Sequence, residues 1–166
     1  MIYAQIDTNN RVVGVSQLEA SVEQVNMILL ESYDETLLGK YYDSNTGTFI
    51  ELEFPEIVLT SITGTNIIYD TVTREVTLTA GTSINIVGDI KLNNSVVNIS
   101  TNFRMSLKAS DGREVVTLVT ITAGHIDHTY TVEHSGIWSV TQESINSRLP
   151  ENSKFKFSGL TIYSCT

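Results

Sequence analysis

The chain contains few of the residues on which several common classes of protein depend. Its one cysteine, Cys165, cannot form an internal disulfide, so we predict a fold that is stable without oxidation. Lysine and arginine number 10 against 19 aspartate and glutamate, and they are not clustered. Because a phosphate-binding surface needs clustered positive charge, we expect no nucleic-acid partner.

Long apolar runs are also missing. No stretch approaches the roughly 18 apolar residues that a membrane helix requires. Residues 1–7 show neither the basic region nor the apolar region of a secretory signal. We therefore expect a soluble protein made in a cytoplasm, with no membrane partner. Cys165, one residue from the end of the sequence, is interpreted as an incidental thiol rather than a catalytic one.

Charged residues make up only 17% of the chain, and threonine, serine and asparagine together make up almost a third. Threonine is β-branched and suits a pleated surface, whereas asparagine and serine suit turns. Hydrophobic residues, at 41%, are sufficient for a packed core. The composition predicts a mainly β protein with many short connections.

Two hairpins are predicted near the beginning of the chain. Residues 2–7 and 11–17 alternate apolar and polar side chains around a Thr-Asn-Asn turn. Residues 40–42 and 48–52 form the second pair of strands, because the intervening residues 43–47 supply the turn chemistry of Asp, Asn and Gly. A similar Tyr-Asp pattern recurs further along the chain, and we interpret it as repeated turn chemistry.

A short helix is predicted over residues 22–31, between the two hairpins. Ser21 followed three residues later by Gln24 matches a capping box. The residues at helical spacing are Val22, Val25, Ile28 and Leu29. Residues 1–54 are therefore expected to form a small β-β-α-β-β module.

Pro55 is taken as the boundary, because proline cannot donate to a strand ladder and biases the preceding residue toward an extended conformation. Residues 55–166 then show short strand-like stretches at the spacing of a β-sandwich or a β-barrel. The predicted strands are 57–62, 66–70, 75–79, 83–87, 96–101, 103–109, 115–122, 129–134, 137–141 and 154–164.

One helical turn is predicted within this second region. Thr141 is a candidate cap for residues 142–148, and Pro150 ends the turn. Trp138, the only tryptophan, has two interpretations. A core residue is favoured because large aromatics dominate sandwich cores, and a sugar-stacking platform is the alternative.

All three histidines lie in one segment, together with an aspartate: His125, Asp127, His128 and His134. Imidazole and carboxylate groups are ligands for divalent ions. However, the spacing matches no familiar zinc pattern, and an extended strand would place His128 and His134 roughly 20 Å apart. We favour a hairpin with polar residues turned outward, and metal binding is left as the open alternative.

No constellation in the sequence identifies a reaction. The chain has no Gly-x-Ser-x-Gly elbow and no glycine-rich phosphate loop, and its carboxylates are scattered. We therefore predict that the protein is not an enzyme and has no catalytic residues, cofactor or metal.

The N-terminal region resembles the small N-terminal modules of tailed-bacteriophage tail, baseplate and fibre-associated proteins. The resemblance rests on a Met-x-Tyr-Ala-x-x-Asp opening and a Gly-x-x-Tyr-Asp-x-x-Thr-Gly-x-Phe motif. The matching residues of the opening are Met1, Tyr3, Ala4 and Asp7. Those of the second motif, which the resemblance marks as a docking motif, are Gly39, Tyr42, Asp43, Thr46, Gly47 and Phe49.

Residues 55–166 are similar in style to the antiparallel immunoglobulin-like β-sandwiches that recur on phage virions. The resemblance implies a virion structural protein that is made in the host cytoplasm and acts by docking in multiple copies on a symmetric assembly. Its expected partners are other virion proteins. A head-decoration or fibre protein is one alternative. A glycan-binding adhesion module that contacts a host surface glycan is another, for which Tyr41, Tyr130 and Tyr163 are the candidate aromatic residues.

Overall fold

A computed structural model describes residues 1–166, with the side chain of Glu151 left out. The chain forms two compact units, Met1–Glu53 and Phe54–Thr166, and the division falls close to Pro55. Both units are built mainly from β-strands. Within the described residues, no helix has the length and apolar character needed to cross a membrane.

The smaller unit contains a three-stranded antiparallel sheet in the order β2-β1-β3. Its strands are β1 (Ile2–Ile6), β2 (Val12–Gln17) and β3 (Met27–Leu30). The first hairpin is as predicted, and Asp7 builds its turn by accepting hydrogen bonds from the main chain of Asn9 at 2.8 Å and Arg11 at 2.9 Å. A bulge shifts the pairing of β1 with β2 after Gln5.

The helix predicted over residues 22–31 is wrong, and the unit is therefore not β-β-α-β-β. Residues 27–30 instead pair with β1, which places Ile28 opposite Ala4 and Leu30 opposite Ile2. A helix this short is marginal in water, whereas the free edge of β1 offers a ladder of main-chain hydrogen bonds. The expected cap does not form either, because the main chain of Val22 donates to the hydroxyl of Tyr3 at 3.1 Å.

The second hairpin of this unit forms where the sequence placed it. It consists of β4 (Tyr41–Asp43) and β5 (Thr48–Ile50), preceded by a short 3₁₀ helix, Glu35–Leu37. The hairpin is joined to β2 by two main-chain bonds, from Val12 to the carbonyl of Lys40 at 2.8 Å and from Gly39 to the carbonyl of Val12 at 2.9 Å.

The larger unit is built on one curled, mixed sheet of 11 strands. Its order is β15-β6-β9-β13-β12-β11-β14-β16-β8-β7, with β10 paired to β9. The strands are β6 (Glu56–Gly64), β7 (Ile68–Asp70), β8 (Glu75–Thr79), β9 (Thr82–Leu92), β10 (Ser95–Val96), β11 (Thr101–Ala109), β12 (Glu114–Thr122), β13 (His125–Val132), β14 (Gly136–Val140), β15 (Lys156–Phe157) and β16 (Leu160–Cys165).

Two pairings, β15 with β6 and β16 with β8, are parallel, so the expectation of a purely antiparallel arrangement is wrong. The pairing of β16 with β8 arises because the chain returns after β14 and inserts its last strand, β16, between β14 and β8. The two halves of the sheet curl around one core, since β9, β11 and β16 all contribute fully buried side chains to the same cluster. Examples are Ile84, Leu107 and Ile162.

The helical turn predicted in this unit is confirmed. It is α1 (Gln142–Asn146), and the Thr141 hydroxyl oxygen accepts from the main chain of Ser144 while the Ser144 hydroxyl oxygen accepts from the main chain of Thr141. Ile145 is buried in the core beneath the helix. After a second 3₁₀ turn, Glu151–Ser153, the chain continues into β15 and β16.

The strand predicted over residues 96–101 is largely wrong. Residues 97–100 do not belong to a strand. Instead, this part of the segment forms hydrogen bonds to the turn that joins β12 to β13. The carbonyl of Ile99 accepts from Gly124 at 2.7 Å, and the hydroxyl of Ser100 accepts from Ala123 at 2.9 Å. A Cβ on Gly124 would lie 2.1 Å from the carbonyl oxygen of Val97, so this close approach requires glycine.

Trp138 is a core residue, as favoured from the sequence, with 2% of its surface exposed. Its indole N–H donates to the carbonyl of His134 at 3.1 Å, so burial leaves no polar atom of the ring unsatisfied. The guanidinium of Arg113 covers the ring at 5.2 Å from its centroid. The sugar-platform alternative for this residue is therefore wrong.

Substitution of Trp138 by alanine should lower the free energy of unfolding of the larger unit by about 3–5 kcal/mol, because it leaves a large cavity in the core. Urea denaturation followed by far-UV circular dichroism measures the change. The matched control is Ile137→Ala on the exposed side of the same strand, for which we expect a much smaller loss. A loss of under about 0.5 kcal/mol for Trp138→Ala would contradict the buried position of the ring.

Candidate docking module

The hairpin formed by β4 and β5 brings all six residues of the predicted docking motif together. Asp43 organises its turn, because one carboxylate oxygen accepts from the main chain of Asn45 and the other accepts from the Thr46 hydroxyl, both at 2.9 Å. The carbonyl of Asp43 also accepts from the main chain of Gly47 at 2.8 Å. The Asp, the Thr and the second Gly of the motif are thus explained by the turn they build.

The two aromatic residues of the motif anchor the hairpin to the sheet. The rings of Tyr42 and Phe49 face each other across β4 and β5 with centroids 5.2 Å apart. Both pack against the small core formed by Ala4, Ile6 and Val12. The opening motif and the second motif, more than 30 residues apart in the sequence, therefore meet in one core.

Gly39 has a positive φ of +83° at the point where the chain enters the hairpin. An L-residue rarely adopts this conformation, so the first Gly of the motif is explained by the backbone. Most of the motif is therefore occupied in building the hairpin. The part that remains exposed is the tip, residues 44–48.

The turn pattern repeats in the larger unit, between β7 and β8. Asp70 accepts from the main chains of Val72 at 2.8 Å and Thr73 at 3.1 Å, and the first of these bonds matches the one from the main chain of Asn45 to Asp43. The residue four positions after each aspartate has a positive φ, +56° at Arg74 and +71° at Gly47. The interpretation of the sequence echo as repeated turn chemistry is confirmed.

The pKa of the Asp43 carboxyl departs from its ordinary value because of the turn that it organises. The hydrogen bond from the main chain of Asn45, followed by that from the hydroxyl of Thr46, holds the pKa of the Asp43 carboxyl below its usual range. The charged carboxylate is thus the form that the folded turn favours.

The histidine segment places His125 and His128 on opposite faces of one strand. It lies on β13 and in the turn that follows, and successive residues of a strand point to opposite faces. His125 pairs with Asp89 at 2.8 Å on the outward face. His128 lies half-buried on the inward face, where burial lowers the pKa of its imidazole. Within the described residues, no group of three or more potential ligands comes together.

The three tyrosines named for glycan binding are distributed over both units. Tyr41 belongs to the smaller unit, and Tyr130 and Tyr163 lie on β13 and β16 of the larger unit, which three other strands separate. The hydroxyl of Tyr163 donates to Glu75 at 3.2 Å, and this bond raises the pKa of Tyr163. Cys165 is exposed. Glycan binding stays a prediction.

Charge divides unequally between the two units. Residues 1–53 contain nine carboxylates and two basic side chains, which gives −7, whereas residues 54–166 contain ten and eight, which gives −2. Between Arg11 and Lys40 the chain has five carboxylates and neither lysine nor arginine. A count of charges along the sequence reveals this asymmetry without any structure.

Exposed apolar side chains are found in the same acidic stretch. Val25 is 98% exposed and Leu29 63% exposed, and both were assigned to the face of a helix by the sequence analysis. The sequence feature that could have revealed this surface is the apolar run Met27-Ile28-Leu29-Leu30. Periodicity alone cannot assign so short a run to a strand or a helix. These residues form the surface that the sequence analysis missed.

Comparisons of the chain with protein-family models, with curated proteins and with solved structures found no match.

Substitution of Gly47 by alanine should destabilise the β4–β5 hairpin by about 1 kcal/mol, because a Cβ raises the energy of a positive φ. No atom lies within 4 Å of the added Cβ, so the change tests the backbone alone. The matched substitution at the equivalent position of the other turn, Arg74→Gly, removes a Cβ from a positive φ and should cost nothing or stabilise slightly. Hydrogen exchange of the amides in each hairpin measures both effects, and equal losses would contradict this account of the turns.

Substitution of Asp43 by asparagine should destabilise the hairpin at neutral pH and have little effect in acid. The folded-state pKa of Asp43 is lowered, so its carboxylate stabilises the fold above the ordinary carboxyl pKa, and this contribution disappears as pH falls through the folded-state value, below about pH 4. Hydrogen exchange at pH 6 and urea denaturation at a series of acidic pH values compare the stability of the variant with that of the unaltered chain. The control is Asp127→Asn at an exposed position of β13. If the difference in stability between Asp43→Asn and the unaltered chain stayed the same in strong acid, the role of the charge would be refuted.

Proposed function

We propose that this chain is a structural protein of a tailed-bacteriophage virion, in the tail, the baseplate or the fibre-attachment region, and that it acts by protein–protein docking. The proposal takes the smaller unit as the docking module. Neighbouring virion proteins are the proposed partners, and the chain is present in multiple copies on a symmetric assembly.

The observation that carries the proposal is the convergence of the two motifs that define the resemblance. Ala4 of the opening motif lies in the same small core as Tyr42 and Phe49 of the second motif. Their packing supports the view that they are parts of one module that resembles the phage N-terminal modules.

The proposal also includes a distant relationship of the larger unit to the immunoglobulin-like sandwiches. Support comes from a cavity of about 30 Å³ in its core, where Ile57 and Ile86 from one limb of the curled sheet lie opposite Val140 and Leu160 from the other. Two limbs facing each other across an apolar layer are the arrangement on which a sandwich depends. This unit would project from the assembly or join neighbouring subunits.

Mass spectrometry of purified virions from the host cells that produce this chain tests the function. We expect the chain in mature particles, in a copy number that matches the symmetry of a tail or baseplate ring. Cryo-electron microscopy of particles carrying a tagged copy then separates a tail position from a head-decoration position. Absence of the chain from mature virions would refute the proposal.

A further inference from the structure

The edge of β3 is open. The carbonyl of Asn26 accepts from the main chain of Ile6 at 2.9 Å, which fixes the alternation along this ladder. It follows that Ile28 and Leu30 direct their main-chain groups toward β1, whereas Leu29 directs its N–H and C=O away from the sheet. No described residue of the chain bonds these outward groups of Leu29. A strand from another molecule would find both groups available.

The composition of this edge is unusual for a strand left open. Natural sheets protect their edges with charged side chains, proline or a bulge. β3 has none of these, because all four of its residues are apolar and its pairing with β1 is regular. Leu29 is 63% exposed on the outward-facing side of the sheet. An edge of this kind is a site of association unless another chain covers it.

The other edge of this sheet, formed by β2, is partly covered by the chain. The beginning of β2 is covered by the chain entering the second hairpin, through the bonds between Val12 and residues 39–40 and a bridge between Arg11 and Tyr41. The edge at the beginning of β2 is therefore closed by the chain itself. On β3, the outward N–H of Met27 donates to the carbonyl of Gln24 at 3.0 Å, and the outward groups of Leu29 are left free.

The charge around β3 indicates the nature of the strand that would cover it. Glu23 and Glu31 lie just before and just after the strand, within the stretch that contains no lysine or arginine. The unit as a whole carries −7, so a second copy paired along the same edge would bring like charges together. A basic strand would instead be attracted to the edge.

We propose that the edge of β3 binds an extended, basic segment of a different protein by strand addition. The main-chain groups of Leu29 supply the hydrogen bonds, its side chain and that of Val25 supply apolar contact, and Glu23 and Glu31 select for lysine or arginine. The inference deepens the proposed function by giving the chemistry of the partner. It relies on that function only for the identity of the partner as a virion protein.

The test uses the full chain and a fluorescent peptide that alternates lysine with valine, with a glutamate–valine peptide as the comparison. Fluorescence anisotropy should show binding of the basic peptide only, weakening as salt rises. Leu29→Pro removes the outward N–H without affecting the ladder to β1, and it should weaken binding by at least about tenfold. The control Leu29→Thr keeps that N–H and should retain most of the affinity.

The charge contribution is tested with the double variant Glu23→Gln and Glu31→Gln, which should weaken binding about fivefold. The control carries the same change in charge at two exposed sites of the larger unit, Glu133→Gln and Glu143→Gln, and should bind as the unaltered chain does.

Hydrogen exchange on the unaltered chain gives a readout that does not depend on any variant. The amide of Leu29 should become protected when the basic peptide is added. No binding, equal binding of both peptides, or no protection of Leu29 would overturn the proposal. A dimer in sedimentation equilibrium that Leu29→Pro dissociates would also overturn it, since the occupant would then be a second copy. Because the assay uses the purified chain, its outcome is independent of whether the protein is found in virions.

Discussion

The larger unit depends on the pairing of β9 with its neighbours. This strand of 11 residues pairs with β6 on one side and with β13 on the other, and it alternates strictly between the two faces of the sheet. Its inward positions are Ile84, Ile86, Gly88 and Ile90, all of them buried. A shift of the register by one residue would turn this row outward, so the hydrophobic core and the hydrogen-bonded ladder enforce the same arrangement.

Curvature of the sheet follows from local features of the same strands. β6 carries an irregularity between Leu59 and Ser61, opposite the segment of β9 that contains Gly88. A Cβ on Gly88 would lie 2.9 Å from the carbonyl oxygen of Val58, so only glycine permits this close approach. Bulges and glycines at such positions bend a strand, and bending allows one sheet to enclose a core.

The smaller unit is stabilised in a different way. Its fully buried apolar residues are few, and much of its order comes from aspartates that bind the main chain of their own turns. A unit of this kind gains little from burial, and its surface keeps both a high negative charge and several exposed apolar side chains. On this surface, the edge of β3 at Leu29 is a place where main-chain groups are available in addition to apolar side chains.

From the amino-acid sequence we could predict the mainly β class, the two hairpins of the smaller unit, the cap on α1 and the burial of Trp138. Each of these depends on local turn chemistry or on the alternation of neighbouring side chains, and both are visible within a few residues. The three-dimensional fold was needed to show that residues 27–30 are a strand, that β16 inserts beside β8 in parallel, and that His125 and His128 lie on opposite faces. The reason is that the hydrogen bonds of a sheet join residues far apart in the chain. A short apolar run can form a strand or a helix, and it forms a strand where a neighbouring strand offers unpaired main-chain groups.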